Sequence, residues 1–320
     1  MPLHPQAQAH VEMLRELNPP RWEDLGVQKA RRGFSALKES FGYGPEMHSV
    51  EDKGLCGLDP DGVSLEVPVR IYRPTNSGAP QPVAMFFHGG GWVLGDIESH
   101  DTTCRRLAAA SKAVVVSVDY RRSPETPFPG PLHDCYVATM AVAKAAADLG
   151  VDADRMAVVG DSAGGNLAAS VGLLAQHAAT VNLKYAMLLY PVVTPHFDSA
   201  SYEAFESGFG LTKRTMKWFW SNYLGRDVEE KSEHAEPLAD LLRADFSGFP
   251  ATHVLVAGYD VLRDEGLALA DRMEAAGVSV TRENADDMLH GYLHFAGQFE
   301  TGVFGMRALG QRMAEALSSV

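Results

Sequence analysis

The feature that most constrains the fold of this chain is an apolar run, residues 156–159, that ends in the motif G-x-S-x-G at residues 160–164. A helical pattern follows at once. This order predicts a strand, a sharp turn and a helix, with the hydroxyl of Ser162 raised above a sheet at the turn. The backbone is crowded at such a turn, and Gly160 and Gly164 supply the small residues that it needs. The apolar positions of the helical pattern are Leu167, Val171, Leu174 and Ala178. Taken alone, the motif has an alternative interpretation as a glycine-serine turn without chemistry.

Apolar runs and amphipathic helical patterns alternate along most of the chain. Strands are predicted at residues 83–87, 113–118, 156–159, 186–190, 254–257 and 278–282. Helices are predicted at residues 102–110, 131–149, 265–276 and 291–317, in addition to the one after Ser162. Strands and helices in this order predict an α/β fold, with a mostly parallel sheet that carries helices on both faces.

Three segments depart from this alternation. Residues 4–44 are mostly helical in pattern, and residues 50–74 indicate an antiparallel hairpin at a sheet edge, with its turn at 59–62. Residues 195–248 indicate an insertion above the sheet, with a helix at 212–224. Four aromatic residues of that helix could line a substrate pocket, but aromatic residues in a helix more often pack in a core. They are Trp218, Phe219, Trp220 and Tyr223.

Composition and charge limit the partners of this chain. Its 320 residues, 46% of them hydrophobic, are enough for one large α/β core with insertions. The net charge of −13, which no basic cluster offsets, argues against nucleic acid and anionic membranes as partners. With no long apolar run and no secretory leader, a soluble, cytoplasmic protein is expected. The cysteines, Cys56, Cys104 and Cys135, are widely spaced and are expected to be reduced packing residues, so no metal site is predicted.

Ser162 needs partners to become reactive. A serine hydroxyl needs a base that takes its proton, and the base needs a third group that orients it. In folds with this turn, an acid and then a histidine follow the serine on loops after later strands. Asp260 is the first carboxylate after the strand predicted at 254–257, so we predict that it is the acid. Asp264 and Glu265 are alternatives, but they fall where a helix begins, and negative charge is favoured there.

His290 occupies the place expected for the base. It lies at the junction between the last predicted strand and the closing helix, whereas His294 lies one turn into that helix. Of the 12 histidines, no other fits the order of serine, acid and base. The predicted catalytic residues are therefore Ser162, Asp260 and His290.

Three successive glycines follow His88. The backbone of such a loop can approach a ligand closely, with its N–H groups unshielded. We predict that the N–H groups of Gly89, Gly90 and Ala163 form an oxyanion hole for the carbonyl that the serine attacks. A phosphate-binding loop is the alternative, but neither glycine-rich stretch has the spacing that nucleotide-binding motifs need. His88 is expected to hold the loop by hydrogen bonds rather than to act as a base.

Several stretches together resemble one known family. They are His88-Gly-Gly-Gly-Trp92, Tyr120-Arg121, Pro124-Glu125, Phe128-Pro129, Gly160-Asp-Ser-Ala-Gly-Gly165, Asp260 with Leu262-Arg-Asp-Glu265, and His290-Gly-Tyr292. Over about residues 50–315 the chain resembles the hormone-sensitive-lipase-like esterases, bacterial family IV, of the α/β-hydrolase superfamily. There are two departures. Arg122-Ser123 stands where the family usually has Leu-Ala. Val261 replaces the usual proline, which is expected to loosen the placement of Asp260 slightly.

The resemblance implies an α/β-hydrolase fold with an eight-stranded sheet and a helical cap. It implies that residues 1–48 form N-terminal cap helices and that residues 49–320 form the catalytic domain, with a cap insertion at about 195–248. The implied function is hydrolysis of short- to medium-chain carboxylic esters through an acyl-enzyme, with a small-molecule ester as the partner and no cofactor. A homodimer is also implied, because dimers are frequent in that family.

Other functions are open on the same fold. An amidase or arylformamidase would use the same catalytic residues on a different bond. A non-catalytic ligand receptor is less favoured, because such proteins typically lose a catalytic residue and all three are present here. A long-chain lipase is less favoured because the insertion is short and of mixed polarity.

Overall fold

One eight-stranded sheet organises the chain, of which the computed structural model describes residues 1–178, 181–228 and 235–318, apart from the side chain of Glu39. The strands are β1 (Ser49–Leu58), β2 (Ser64–Arg73), β3 (Gln81–Phe87), β4 (Val114–Val118), β5 (Val151–Asp161), β6 (Leu183–Leu189), β7 (Ala251–Tyr259) and β8 (Val280–Leu289). Their order across the sheet is β1-β2-β4-β3-β5-β6-β7-β8. β2 is antiparallel to β1 and β4, and the other pairs are parallel. The predicted fold, a mostly parallel sheet of eight strands, is confirmed.

Helices cover both faces of this sheet. The α-helices in the described ranges are α1 (Pro5–Leu17), α2 (Trp22–Leu25), α3 (Val27–Ser35), α4 (Lys38–Phe41), α5 (Ile97–Ser111), α6 (Gly130–Lys144), α7 (Ala163–Ala178), α8 (Ala200–Ala204), α9 (Lys213–Leu224), α10 (Arg263–Ala275) and α11 (Glu300–Ser318). A 3-10 turn covers Leu241–Arg243. Among the residues described, no helix combines the length and the apolar character needed to cross a membrane.

The core lies in two layers, because successive side chains of a strand point to opposite faces of the sheet. In β3, Val83, Met85 and Phe87 join one buried apolar cluster with residues of α6, α7 and α10. Ala84 and Phe86 join the other cluster with residues of α5 and α11. All of these β3 side chains are fully buried. Burial on both faces explains why this strand is a continuous apolar run in the sequence.

The edge strand β8 differs from its prediction. It runs to Leu289, whereas the sequence predicted a strand at 278–282. Most of its residues are exposed or half-buried, because an edge strand has solvent on one side. Such a strand tolerates charged residues, and a method that looks for apolar runs therefore does not find it. Residues 290–298 then form turns, so α11 begins at Glu300 rather than at 291.

The N-terminal helices contact different parts of the fold. The N–H of His4, which caps α1, donates to the carbonyl of Asp287 on β8 (2.9 Å). By contrast, α2 contacts α9 of the predicted insertion, where the hydroxyl of Thr215 donates to Glu23 (3.0 Å). Residues 229–234 of that insertion lie outside the described residues. The division into a cap of residues 1–48 and a catalytic domain of residues 49–320 stays a prediction.

Candidate active site

Ser162 lies at the turn that the motif predicts. β5 ends at Asp161 and α7 begins at Ala163, so Ser162 alone joins the strand to the helix. Its φ of +56° is a left-handed conformation that is strained for a residue with a side chain. Its N–H donates to the carbonyl of Leu189 at the end of the neighbouring strand β6 (2.8 Å). The hydroxyl is thereby held at the carboxyl ends of the parallel strands.

The glycines of the motif are required by close backbone approach. A Cβ atom on Gly160 would lie 2.1 Å from the carbonyl oxygen of Gly164. A Cβ atom on Gly164 would lie 1.8 Å from the carbonyl oxygen of Phe87 at the end of β3. Real Cβ contacts are never this short, so no larger residue fits at either position without moving the backbone. The strand, the turn and the helix can therefore pack together only with these glycines.

The imidazole of His290 links Ser162 to Asp260. Its Nε2 lies 3.0 Å from Oγ of Ser162, and its Nδ1 lies 2.6 Å from Oδ2 of Asp260. Since a carboxylate only accepts hydrogen bonds, Nδ1 carries the proton of the neutral ring, and Nε2 is free to accept the proton of the hydroxyl. The ring of Tyr190 packs edge-on against the imidazole with 4.9 Å between centroids. The structure thus brings together the three residues predicted as catalytic.

Asp260 is held firmly at the end of β7. It is 2% exposed, and its Oδ1 accepts the N–H of Leu262 (2.9 Å) while Oδ2 faces His290. Val261, which replaces the usual proline, is fully buried, and its carbonyl accepts the hydroxyl of Ser201 (2.7 Å). The hydrogen bond that holds the carboxylate comes from Leu262, so the valine at position 261 leaves it in place.

The two alternative carboxylates have other partners. Asp264 accepts the N–H of Ser201 (2.8 Å), and Glu265 accepts the N–H of Val193 (2.7 Å). Both lie in the first turn of α10, as predicted. Burial raises the pKa of Glu265 well above its ordinary value. Over the described part of the chain, neither carboxylate forms a hydrogen bond or an ion pair with His290.

The glycine loop departs from its prediction at one position. The N–H of Gly89 donates to Oδ1 of Asp161 (3.0 Å), so this N–H is engaged inside the protein and not directed at a substrate. In the described ranges no protein group accepts the N–H of Gly90 or Gly91. Gly91 was not among the predicted donors, and a sequence does not show which N–H of three successive glycines the fold already uses. The ring of Phe219 leaves no room for a Cβ atom on Gly91.

His88 holds the glycine loop, as the sequence predicts. Its Nδ1–H donates to the carbonyl of Gly89 (2.8 Å). Its ring stacks on Tyr120 at 4.2 Å, and the Tyr120 hydroxyl donates to the His88 carbonyl (2.8 Å). Complete burial, with a smaller contribution from nearby His100, lowers the pKa of His88 to about 3. His88 therefore stays neutral and acts through hydrogen bonds, not as a base.

Comparison with known proteins decides the family. The model of a family described as having the alpha/beta hydrolase fold matches residues 84–294, well over half of the chain. The chain belongs to the α/β-hydrolase family. The resemblance predicted from its motifs is confirmed at that level.

Curated relatives of this α/β hydrolase include two proteins of Mycobacterium tuberculosis. Carboxylesterase NlhH is 36% identical over 274 residues, which cover 85% of this chain and 83% of the relative. Carboxylic ester hydrolase LipN is 40% identical over 280 residues, which cover 85% of this chain and 71% of the relative. The crystal structure of an esterase from Pseudomonas putida matches with a TM-score of 0.89 at 36% identity, over 100% of this chain and 99% of that one.

The aromatic residues of α9 in this α/β hydrolase mostly pack in the core. Trp220 and Tyr223 are fully buried, and the ring of Tyr223 stacks on that of Trp92 at 4.0 Å with 3° between their planes. Core packing was the favoured interpretation, and it holds for these two residues. Phe219 differs because its ring lies against Gly91 of the glycine loop. Through Phe219 the predicted insertion reaches the glycine loop.

One group of potential metal ligands lies elsewhere, on the β1–β2 turn and α6. Single ligand atoms of Asp59, Asp61 and His133 lie within 4.8 Å of one another. The Asp59 carboxylate already accepts the N–H groups of Asp61 (2.9 Å) and Val63 (2.8 Å) and faces Nδ1 of His133 (3.1 Å). These hydrogen bonds explain the group as a clamp between turn and helix. That the α/β hydrolase needs no metal or cofactor stays a prediction.

Proposed function

We propose that this chain is a serine carboxylic-ester hydrolase that works through an acyl-enzyme. The observation that carries the proposal is the hydrogen-bonded series from Ser162 through His290 to Asp260, with distances of 3.0 and 2.6 Å. A nucleophile within reach of a base, and a base oriented by a buried acid, is the arrangement that activates serine. The relatives named carboxylesterase and carboxylic ester hydrolase support the same bond as the target.

In the first half of the reaction, Oγ of Ser162 attacks the ester carbonyl while Nε2 of His290 takes the hydroxyl proton. Asp260 stabilises the imidazolium through its hydrogen bond to Nδ1. The N–H groups of Gly90 and Ala163 stabilise the oxyanion of the tetrahedral intermediate, and the N–H of Gly91 is a third candidate donor. The positive end of the α7 dipole favours negative charge at the same place.

In the second half, the alcohol portion of the ester leaves and the free enzyme is restored. His290 returns its proton to the alkoxide, which leaves an acyl group on Ser162. A water molecule then gives a proton to Nε2 of His290 and attacks the acyl carbonyl. Collapse of the second tetrahedral intermediate releases the carboxylic acid, and the proton returns from His290 to Ser162. Each proton is carried by the one histidine, so these steps use only groups of the protein.

The proposed substrates are small esters with short- to medium-length acyl chains. The resemblance to the hormone-sensitive-lipase-like esterases supports this class. The mixed polarity of residues 195–248 also supports it, since a lipid-docking lid needs a large apolar surface. A homodimer and a cytoplasmic location are proposals as well. The first is supported by that resemblance, and the second by three cysteines that are free thiols in the structure.

The proposal is tested by comparing a matched ester and amide, p-nitrophenyl butyrate and butyric acid p-nitroanilide, on purified protein. We expect kcat/KM to be higher for the ester by about 10²–10⁴-fold, because an anilide must be protonated to leave and a phenolate need not. A higher kcat/KM for the amide would replace the proposal with an amidase. Turnover of neither compound would favour a non-catalytic receptor.

A further inference from the structure

A buried carboxylate lies directly behind the nucleophile. Asp161 precedes Ser162 and is 5% exposed. Its Oδ1 accepts the N–H of Gly89 (3.0 Å) and lies 3.5 Å from Nε2 of His100 on α5. A Cβ atom on Gly89 would lie 2.5 Å from Oδ2, so the glycine loop rests on this carboxylate. The orientation of the loop beside Ser162 therefore depends on where Asp161 is held.

The hydrogen bonds of His100 fix one of its protons. The hydroxyl of Ser99 donates its hydrogen to the carbonyl of Asp96 (2.9 Å). Ser99 Oγ can then only accept from Nδ1 of His100, which lies 3.0 Å away, so Nδ1 carries a proton. Nε2 faces Oδ1 of Asp161 at 3.5 Å and has no other protein partner in the described part of the chain. His100 is thus the side chain on α5 that lies against the buried carboxylate, and a buried charge requires such a partner.

The pKa of Asp161 agrees with such a pair. Burial alone would raise this pKa, but the interaction with His100 outweighs burial and lowers the pKa to about 2. The carboxylate is therefore ionised at neutral pH. His100 itself is 1% exposed, so water does not replace it as the partner.

His100 also contacts the segment that carries the base. Its ring stacks on His294 with centroids 4.0 Å apart and planes 17° apart. His294 lies in the turns that follow His290, and its N–H donates to the carbonyl of Gly291 (2.9 Å). Burial lowers the pKa of His294 well below its ordinary value, so it stacks as a neutral ring. His100 thus touches both the support of the glycine loop and the segment of His290.

We propose that His100 is a positioning residue for ester hydrolysis, holding Asp161 so that the glycine loop presents its free N–H groups to the oxyanion. This inference rests on the proposed function. His100 touches neither the substrate nor the reacting atoms and acts through Asp161 and Gly89. Since the oxyanion exists only after attack, loss of His100 should lower kcat and leave KM nearly unchanged.

The test uses His100→Phe, which keeps a flat ring against His294 but removes both nitrogens. On p-nitrophenyl butyrate we expect kcat to fall about 10- to 100-fold, somewhat less than when an oxyanion donor is deleted outright. The inhibition constant of a butyl trifluoromethyl ketone, whose adduct with Ser162 carries an oxyanion, should rise by a similar factor. His100→Gln restores an N–H donor towards Asp161 and should recover part of kcat.

The matched control is His253→Phe. His253 is also fully buried, and its Nε2 also lies 3.5 Å from a carboxylate, that of Glu283, but it lies on β7 among residues away from the glycine loop. The control should have a lower melting temperature than the wild-type protein and the wild-type kcat. Wild-type kcat and inhibition constant in His100→Phe would overturn the inference, as would a fall in kcat that His253→Phe reproduces. Failure of the proposed function is distinct, because the wild-type protein itself would then be inactive.

Discussion

Asp260 and Asp264 are the same residue type four positions apart, and their hydrogen-bond partners give them different roles. Asp260 faces the imidazole of His290, whereas Asp264 accepts a hydrogen bond from the N–H of Ser201. Burial alone does not identify the catalytic acid, because the Glu265 carboxylate is nearly as deeply buried as that of Asp260. The catalytic acid is identified by the nitrogen that its carboxylate faces, which for Asp260 is Nδ1 of His290.

We predict that Asp260→Asn lowers kcat on p-nitrophenyl butyrate by about 10⁴-fold. The amide keeps the size of the side chain, but its N–H can face Nδ1 and leave the wrong nitrogen of His290 protonated. Steady-state kinetics measure the effect, and the melting temperature shows whether the variant is folded. Asp264→Asn is the control and should keep most of the wild-type kcat. The reverse order of the two variants would move the acid to Asp264.

At this scale the sequence located the side chains better than the backbone donors. Chain order and strand position were sufficient to predict Ser162, Asp260 and His290 as partners. The prediction for Gly89 failed to anticipate that Asp161, 72 positions away along the chain, takes its N–H. That contact exists only once β3 and β5 are paired, so no local pattern reveals it.

The turn between β5 and α7 is the element on which the site depends, and its glycines are set by the backbone around them. The carbonyl of Phe87 occupies the space next to Gly164, while Gly277 follows α10 with open space around it. Glycine is needed at the two positions for different reasons. At Gly164 the neighbouring backbone leaves no room for a side chain. At Gly277 there is room, but the φ of +86° strains any residue with a side chain.

We predict that Gly164→Ala lowers the free energy of unfolding by at least about 3 kcal/mol, because the new methyl group must displace the backbone of β3. Gly277→Ala should cost about 1 kcal/mol, the strain of a left-handed alanine. Urea unfolding followed by circular dichroism gives both values. Equal costs for the two variants would show that the contact between Gly164 and Phe87 does not constrain the turn.

Elements buried on both faces were the ones that sequence reasoning placed well. β3 and β4 are continuous apolar runs and were predicted to within two residues of their observed bounds. β8 is an edge strand rich in charged residues, so apolar patterning predicts only its first part, up to residue 282. The turns after His290 were predicted to be the start of a helix. Their apolar residues are buried with residues of α1 and α11, and apolar composition alone does not distinguish a buried turn from a helix.

The whole sheet explains why residues so far apart in sequence meet. Each of the three residues, Ser162, Asp260 and His290, directly follows a parallel strand. These strands, β5, β7 and β8, lie in one half of the sheet, in the order β5-β6-β7-β8. The carboxyl ends of parallel strands form one edge, and a site at that edge collects the residues that follow each strand. The order of the motifs predicted this, whereas the contacts of α1, α2 and α9 depend on tertiary packing that no motif records.

The central claim is that Ser162 becomes acylated during turnover. We predict that rapid mixing of the protein with p-nitrophenyl butyrate, followed by an acid quench and mass spectrometry, shows one butyryl group per chain on the peptide that contains Ser162. A burst of p-nitrophenol of the same size should accompany it. Ser162→Ala should show neither the adduct nor the burst, whereas Ser111→Ala, a buried serine on α5, should show both. Turnover without an adduct at Ser162, or wild-type turnover by Ser162→Ala, would contradict the account.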